Sequence, residues 1–181
     1  MSEIPALEAV PALLSTQLMA AEVYAYFLRV SSEGEQDLWK TLLDDELDHV
    51  AHLRQVLRDD SPAGLHLPDA NADRMRESCE QIKAMGKELF LMRLEGALRL
   101  ECAELDYGLE GLAARRLKRS HPASDYPGDI SSHIMFLIGQ AERYTHSRNI
   151  GLQIRRLREL LETSLTDTAY IPRDDGSHII P

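Results

Sequence analysis

The sequence predicts an all-α chain: a four-helix bundle made of two antiparallel hairpins joined by a long crossover. Two observations carry this. Four long stretches repeat their apolar residues every three or four positions, and none alternates with the period of a strand. Short turns separate the first two stretches and the last two, whereas the middle connection is long. The 181 residues suit one core.

The first helix is expected from about Ala6 to Ser31, ending in Ser31-Ser32-Glu33-Gly34, with the glycine that helix exits favour. The second runs from about Gln36 to Asp59 and stops before Ser61-Pro62-Ala63-Gly64. Asp60 to Asn71 is irregular, twelve residues that reach roughly 40 Å when extended, about the length of a ~27-residue helix. The chain can therefore cross the whole bundle there. The third helix is expected from about Asp73 to Lys118, weakened at Gly86, followed by the loop HPASDYPGD. The fourth runs from about Ile130 to Ser164. The bundle thus occupies residues 1–165, and 166–181 read as an extended tail.

Acidic residues outnumber basic ones by 30 to 20, for a formal charge of -10. Such a field repels phosphate backbones and argues against nucleic-acid binding. No apolar run approaches the ~20 residues of a membrane span, and the first residues lack a basic leader, so a cytoplasmic protein is expected. Cys79 and Cys102 form no CxxC pair, which excludes a zinc ribbon, and Cys102 falls in a helical pattern as a packed thiol.

The informative feature is acidic residues inside apolar stripes. In the second helix Leu38, Leu42, Glu46, His49, Leu53 and Val56 step by three or four along one face, with Glu and His in the middle. A Glu and a His one turn apart can reach the same ion. In the first helix Leu14, Leu18, Glu22, Ala25 and Leu28 repeat the anomaly. In the third, Leu94, Ala97, Glu101 and Leu105 do so, with Glu104 one turn on. In the fourth, Met135, Ile138, Glu142, His146, Ile150, Ile154, Leu157 and Leu161 are again interrupted by Glu and His.

A buried carboxylate is paired, neutralised or bound to metal. No inward set of Lys or Arg matches these acids, whereas two divalent ions balance four carboxylates and neutral His adds ligands without charge. In an antiparallel hairpin, residues equidistant from the apex lie side by side. Glu22 and Glu46 centre on Gly34, and Glu101 and Glu142 centre between His121 and Pro122, so each pair is expected to meet across its own hairpin.

These residues resemble the ferritin-like di-iron carboxylate superfamily, in its rubrerythrin or erythrin branch, over about residues 6–163. The pattern is a Glu from each of two helices plus Glu-x-x-His from the other two. DDELDHVAHLRQVL carries Glu46 and His49 as the first such motif, and LECAELDYGLEGLA carries Glu101 and Glu104. QAERYTHSRNI carries Glu142, but its His146 comes one residue late and Thr145 stands where His is expected. A π-bulge would realign it; otherwise a carboxylate or water takes its place. The resemblance implies two iron ions, or manganese, with Glu46 and Glu142 bridging, Glu22 and Glu101 terminal, and His49 and His146 completing the shell. It implies oxidation of Fe(II) by H2O2 or O2, with Glu104 taking part catalytically in the oxidised state. No rubredoxin-like domain is present, so a separate electron donor protein is expected, as is a homodimer or higher homo-oligomer. Iron storage and a non-enzymatic helical module with a vestigial site are the competing readings. Tyr26, Tyr107 and Tyr144 fall near ligand positions, where packed tyrosines are the commoner outcome.

Overall fold

The computed structural model describes residues 6–59, 69–85, 89–106 and 126–169. The expected crossover over 60–68, Lys118 and the expected third-helix end, the loop up to residue 125, Tyr107 and the tail from residue 170 lie outside the described residues. Within them, all regular structure is helical: α1 (Ala6–Val30), α2 (Glu33–Asp59), α3 (Asp69–Met85), α4 (Phe90–Asp106), α5 (Tyr126–Ala141), a 3-10 turn (Glu142–Tyr144) and α6 (Arg148–Ala169).

The first two helices lie where the periodicity predicts them. The chain reverses between Val30 and Glu33, where the Glu35 amide donates to the Ser32 carbonyl at 2.9 Å. Glu33 and Glu35 then sit in the first turn of α2, where negative charge suits the exposed amides. Gln17 meets His49, and Phe27 meets Trp39 with ring centroids 4.9 Å apart. Both pairs centre on residue 33, so α1 and α2 are antiparallel.

The third expected helix is instead two. Ile82 lies against Gly96, so close that a Cβ on Gly96 would stand 2.8 Å from Ile82 Cγ2. Fourteen residues along one unbroken helix would hold them ~21 Å apart. α3 and α4 are therefore separate helices packed side by side, and α3 packs on α1 as well.

The fourth expected helix also breaks. After Ala141 the backbone tightens into the 3-10 turn and bends through Thr145, His146 and Ser147 before α6 begins. Contacts fix the directions of its halves. His133 meets Glu101 and Tyr144 meets Phe90, both pairs centring on residue 117, so α5 runs antiparallel to α4. Asn149 meets Glu95, Cys102 meets Gln153 and Arg156 meets Asp106, so α6 runs parallel to α4.

The core gathers Tyr24, Phe27 and Trp39 with Leu42, Leu94, Leu98 and Leu100. Burying a side chain such as Phe27 or Leu42 stabilises by roughly 1.5–3 kcal/mol. Cys79 and Cys102 are buried thiols; burial foremost pushes them up to about 11 and about 12, consistent with packing rather than redox chemistry.

Candidate metal centre

Four helices send polar side chains into one buried spot. On α2, Glu46 and His49 follow Leu42 on the core face, and Glu46 is 1 % exposed. On α4, Glu101 and Glu104 are both buried, between Ala97 and Leu105. On α5, His133 precedes Ile134, Leu137 and Ile138 and is buried. On α1, Gln17 and Tyr24 lie on the stripe Leu13, Gln17, Ala20, Tyr24 and Phe27, all buried.

His133 Nε2 is the hub. It stands 3.2 Å from Glu46 Oε1 and 3.1 Å from Glu101 Oε1, and its Nδ1 lies 3.2 Å from Asp45 Oδ2. Tyr24 donates its hydroxyl to Glu101 Oε1 at 2.5 Å. Gln17 closes the other side: its Nε2 donates to Glu104 Oε2 at 2.8 Å, and its Oε1 lies 2.9 Å from His49 Nδ1. Glu46 Oε2 has no hydrogen-bond partner among the described residues; His49 Nδ1, at 3.6 Å, is beyond hydrogen-bond reach.

The electrostatics follow from this placement. Burial alone would lower the His133 pKa, but the Glu101 charge and the hydrogen bonds to Asp45, Glu101 and Glu46 outweigh it and raise it well above 6.5. Burial alone would raise Glu46; the hydrogen bond from His133 and the charge of His133 and His49 reverse that and lower it below its usual 4.5. Tyr24 is held protonated well above 10, by burial first and then by Glu101, so its O–H is a fixed donor.

One ligand atom each from Glu46, Glu101 and His133 lies within 4.8 Å of the others, close enough together to reach a single metal ion. The 3.1 and 3.2 Å donor spacings match the roughly 3.0–3.4 Å edges of a coordination shell with bonds of about 2.1 Å. An ion in that space would take the place of the shared proton and give Glu46 Oε2 a partner. Asp45 against Nδ1 is the carboxylate that commonly orients a metal-binding imidazole. The residues therefore fit a divalent ion.

A way in exists. A pocket of about 510 Å³ between α2 and α5 is lined by Asp45, Asp48, His49, His52, His133 and Phe136, and Asp48 on it is exposed. Carboxylates at such a mouth attract cations.

Of the seven residues expected as ligands, the structure brings Glu46, His49, Glu101 and Glu104 together. It does not bring Glu22, Glu142 or His146 to them. Glu22 is 74 % exposed and faces Lys83 at 3.9 Å. The cause is a phase difference of about one residue. Leucines flank both stripes of α1, and the core takes Leu13, Gln17, Ala20 and Tyr24 rather than Leu14, Leu18 and Glu22. Glu142 is 48 % exposed and accepts from Arg158 at 2.5 Å. His146 is exposed in the bend after the 3-10 turn. The break after Ala141 carries both out of the core, and the register centred on residue 117 sets His133, not Glu142, opposite Glu101.

His133, Gln17 and Tyr24 were missed. The face carrying Ile134, Leu137, Ile138 and Ala141 passes through His133, so shifting the α5 stripe by one residue from Met135 would have found it. The Tyr24 hydroxyl reaches the cluster, whereas Tyr26 packs beside Phe27 and under Arg29, and Tyr144 contacts Phe90. Compared with protein-family models, curated proteins and solved structures, the chain finds no match in any of the three.

Proposed function

We propose that the chain is a metalloprotein of the ferritin-like kind, holding a first-row divalent metal, iron or manganese, in a carboxylate–imidazole centre. The observation that carries this reading is the convergence of Glu46, Glu101 and His133 in the interior, with one buried Glu46 oxygen lacking a hydrogen-bond partner among the described residues. In this reading α1, α2, α4 and α5 form the four-helix bundle, and α3, which comes between α2 and α4 in the chain, packs beside it. The parallel sense of α2 and α4, each antiparallel to α1, supports it.

The resemblance implies a pair of iron ions. Glu46, Glu101 and His133 supply one donor set, with His49 and Glu104 beside it. Bound iron would supply electrons for the reduction of H2O2 or O2, and a separate protein would resupply them. The chain's own residues do the rest. Asp45 and Gln17 orient His133 and His49, the Tyr24 hydroxyl holds Glu101 in place, and the apolar wall of Leu42, Leu94 and Leu98 keeps bulk water from the core side. Access is left to the groove between α2 and α5.

The test is an anaerobic titration of the purified chain with Fe(II), followed by mixing with H2O2 or with O2. Saturable binding, lost in Glu46→Gln and His133→Ala, is expected, with faster oxidation by peroxide than by O2. Preference for O2 with retained mineral would instead indicate iron storage. One observation favours a second reading, a helical module without metal: protonated His133 between two carboxylates already neutralises part of the buried charge. Less than about 0.1 ion bound per chain at micromolar Fe(II) would select it.

A further inference from the structure

Resting on the metal reading above, we infer that the centre takes a single divalent ion per chain, and that Gln17 is the residue that limits it to one. A second ion beside the first needs donor atoms on the side away from His133. The candidates there are Glu104 and His49, and both are tied to the same amide. A carboxylate only accepts hydrogen bonds, so the group facing Glu104 Oε2 at 2.8 Å is the Gln17 NH2. That leaves the Gln17 carbonyl facing His49, so His49 Nδ1 carries the hydrogen across the 2.9 Å contact.

The consequence is a neutral donor standing in the space between them: His49 keeps its Nε2 lone pair and Glu104 its remaining lone pairs, but position 17 itself offers no acceptor toward Glu104. The amide NH2 presents its positive end to that space and brings no charge. Glu46, Glu101 and Glu104 are three buried carboxylates, fewer than two divalent ions require. Glu22 on α1 does not supply the fourth, since it points to solvent and Lys83. A glutamate at position 17 would add the missing charge and turn a donor into an acceptor between Glu104 and His49. Gln17 is in this sense a selectivity residue acting on the number of ions.

The experiment is anaerobic equilibrium dialysis of the full chain against Mn(II), with electron paramagnetic resonance of the loaded protein and circular dichroism to verify folding. Wild type is expected to hold about one ion per chain with an uncoupled six-line spectrum. Gln17→Glu is expected to hold about two, with exchange coupling between ions ~3.5–4 Å apart. Gln17→Leu, which adds no charge, stays near one. Wild type holding two coupled ions overturns the inference and leaves the metal reading standing. A folded Gln17→Glu that still holds one also overturns it. Wild type that binds none removes the metal reading and the inference with it. The wild-type stoichiometry decides the matter even where Gln17→Glu fails to fold.

Discussion

The chain carries two Glu/His pairs that look nearly alike in sequence and have opposite fates in the fold. Glu46 and His49 lie inside, in an unbroken helix, with His133 and Gln17 against them. Glu142 and His146 lie outside, where α5 gives way to a turn, and Glu142 pairs with exposed Arg158. Both pairs interrupt apolar stripes. The difference teaches that a stripe shows which face of a helix could be buried, whereas the opposing helix decides whether that face meets a partner or ends.

The largest expected effect is on stability without metal. His133→Ala leaves Glu46 and Glu101 buried without their counter-charge and should cost about 3–5 kcal/mol in denaturant unfolding. Glu142→Ala, which breaks an exposed pair, should cost less than about 1 kcal/mol. Equal losses at the two sites would erase the distinction between them.

Metal affinity should separate the pairs next. Glu46→Gln should weaken Mn(II) or Fe(II) binding by about 100-fold or more, and Glu142→Ala or His146→Ala by less than about 2-fold, as read by competition with a chelating dye. A loss at His146 that matched the loss at Glu46 would return the second pair to the site.

The acid–base profile sharpens the same contrast. His133 has a raised pKa, so its pairing stabilises the metal-free fold fully below about 6.5 and fades as pH rises through its folded value. Glu46 has a lowered pKa, so its contribution is present above about 4.5 and fades as pH falls. These are two sides of one coupled cluster. Metal-free protein should therefore be most stable between about pH 4.5 and 6.5 as far as this cluster is concerned, while metal affinity rises with pH as the ion displaces the proton. A curve of metal affinity flat from pH 5.5 to 8 would contradict the displacement.

Two glycines test the packing around these regions. Gly96 faces Ile82 and Phe27 in the packed interior, and Gly96→Ala should cost about 1–3 kcal/mol. Gly139 has open space around it in α5, near the turn, and Gly139→Ala should stabilise by about 0.5–1 kcal/mol. Thermal unfolding of the two variants measures both, and destabilisation by Gly139→Ala would mean that α5 packs more tightly than described.

Much of the fold was legible from periodicity. The α1–α2 reversal, the core faces of α2 and α4, and the inward placement of Glu46, His49 and Glu101 follow from spacing of apolar residues, whereas for Glu104 the spacing left an inward and a surface position equally open. The breaks were harder to read. Neither proline nor glycine stands between Ala141 and Ile150, so nothing interrupts the helical pattern there; Ser147, a residue type that favours helix starts, was the one local sign. In α1, leucines at 13, 14 and 18 made two neighbouring stripes almost equally apolar, and the wrong one held Glu22.

By itself the sequence determined that this chain is helical and that acids and histidines share faces with its core leucines, because local spacing alone fixes which side chains project together. Only the tertiary structure decided that His133 and Gln17 complete the cluster while Glu22, Glu142 and His146 leave it. Those outcomes depend on the rotational phase of α1, the register of α5 on α4 and the fold-back after Ala141. Each is set by contacts between residues distant in the chain.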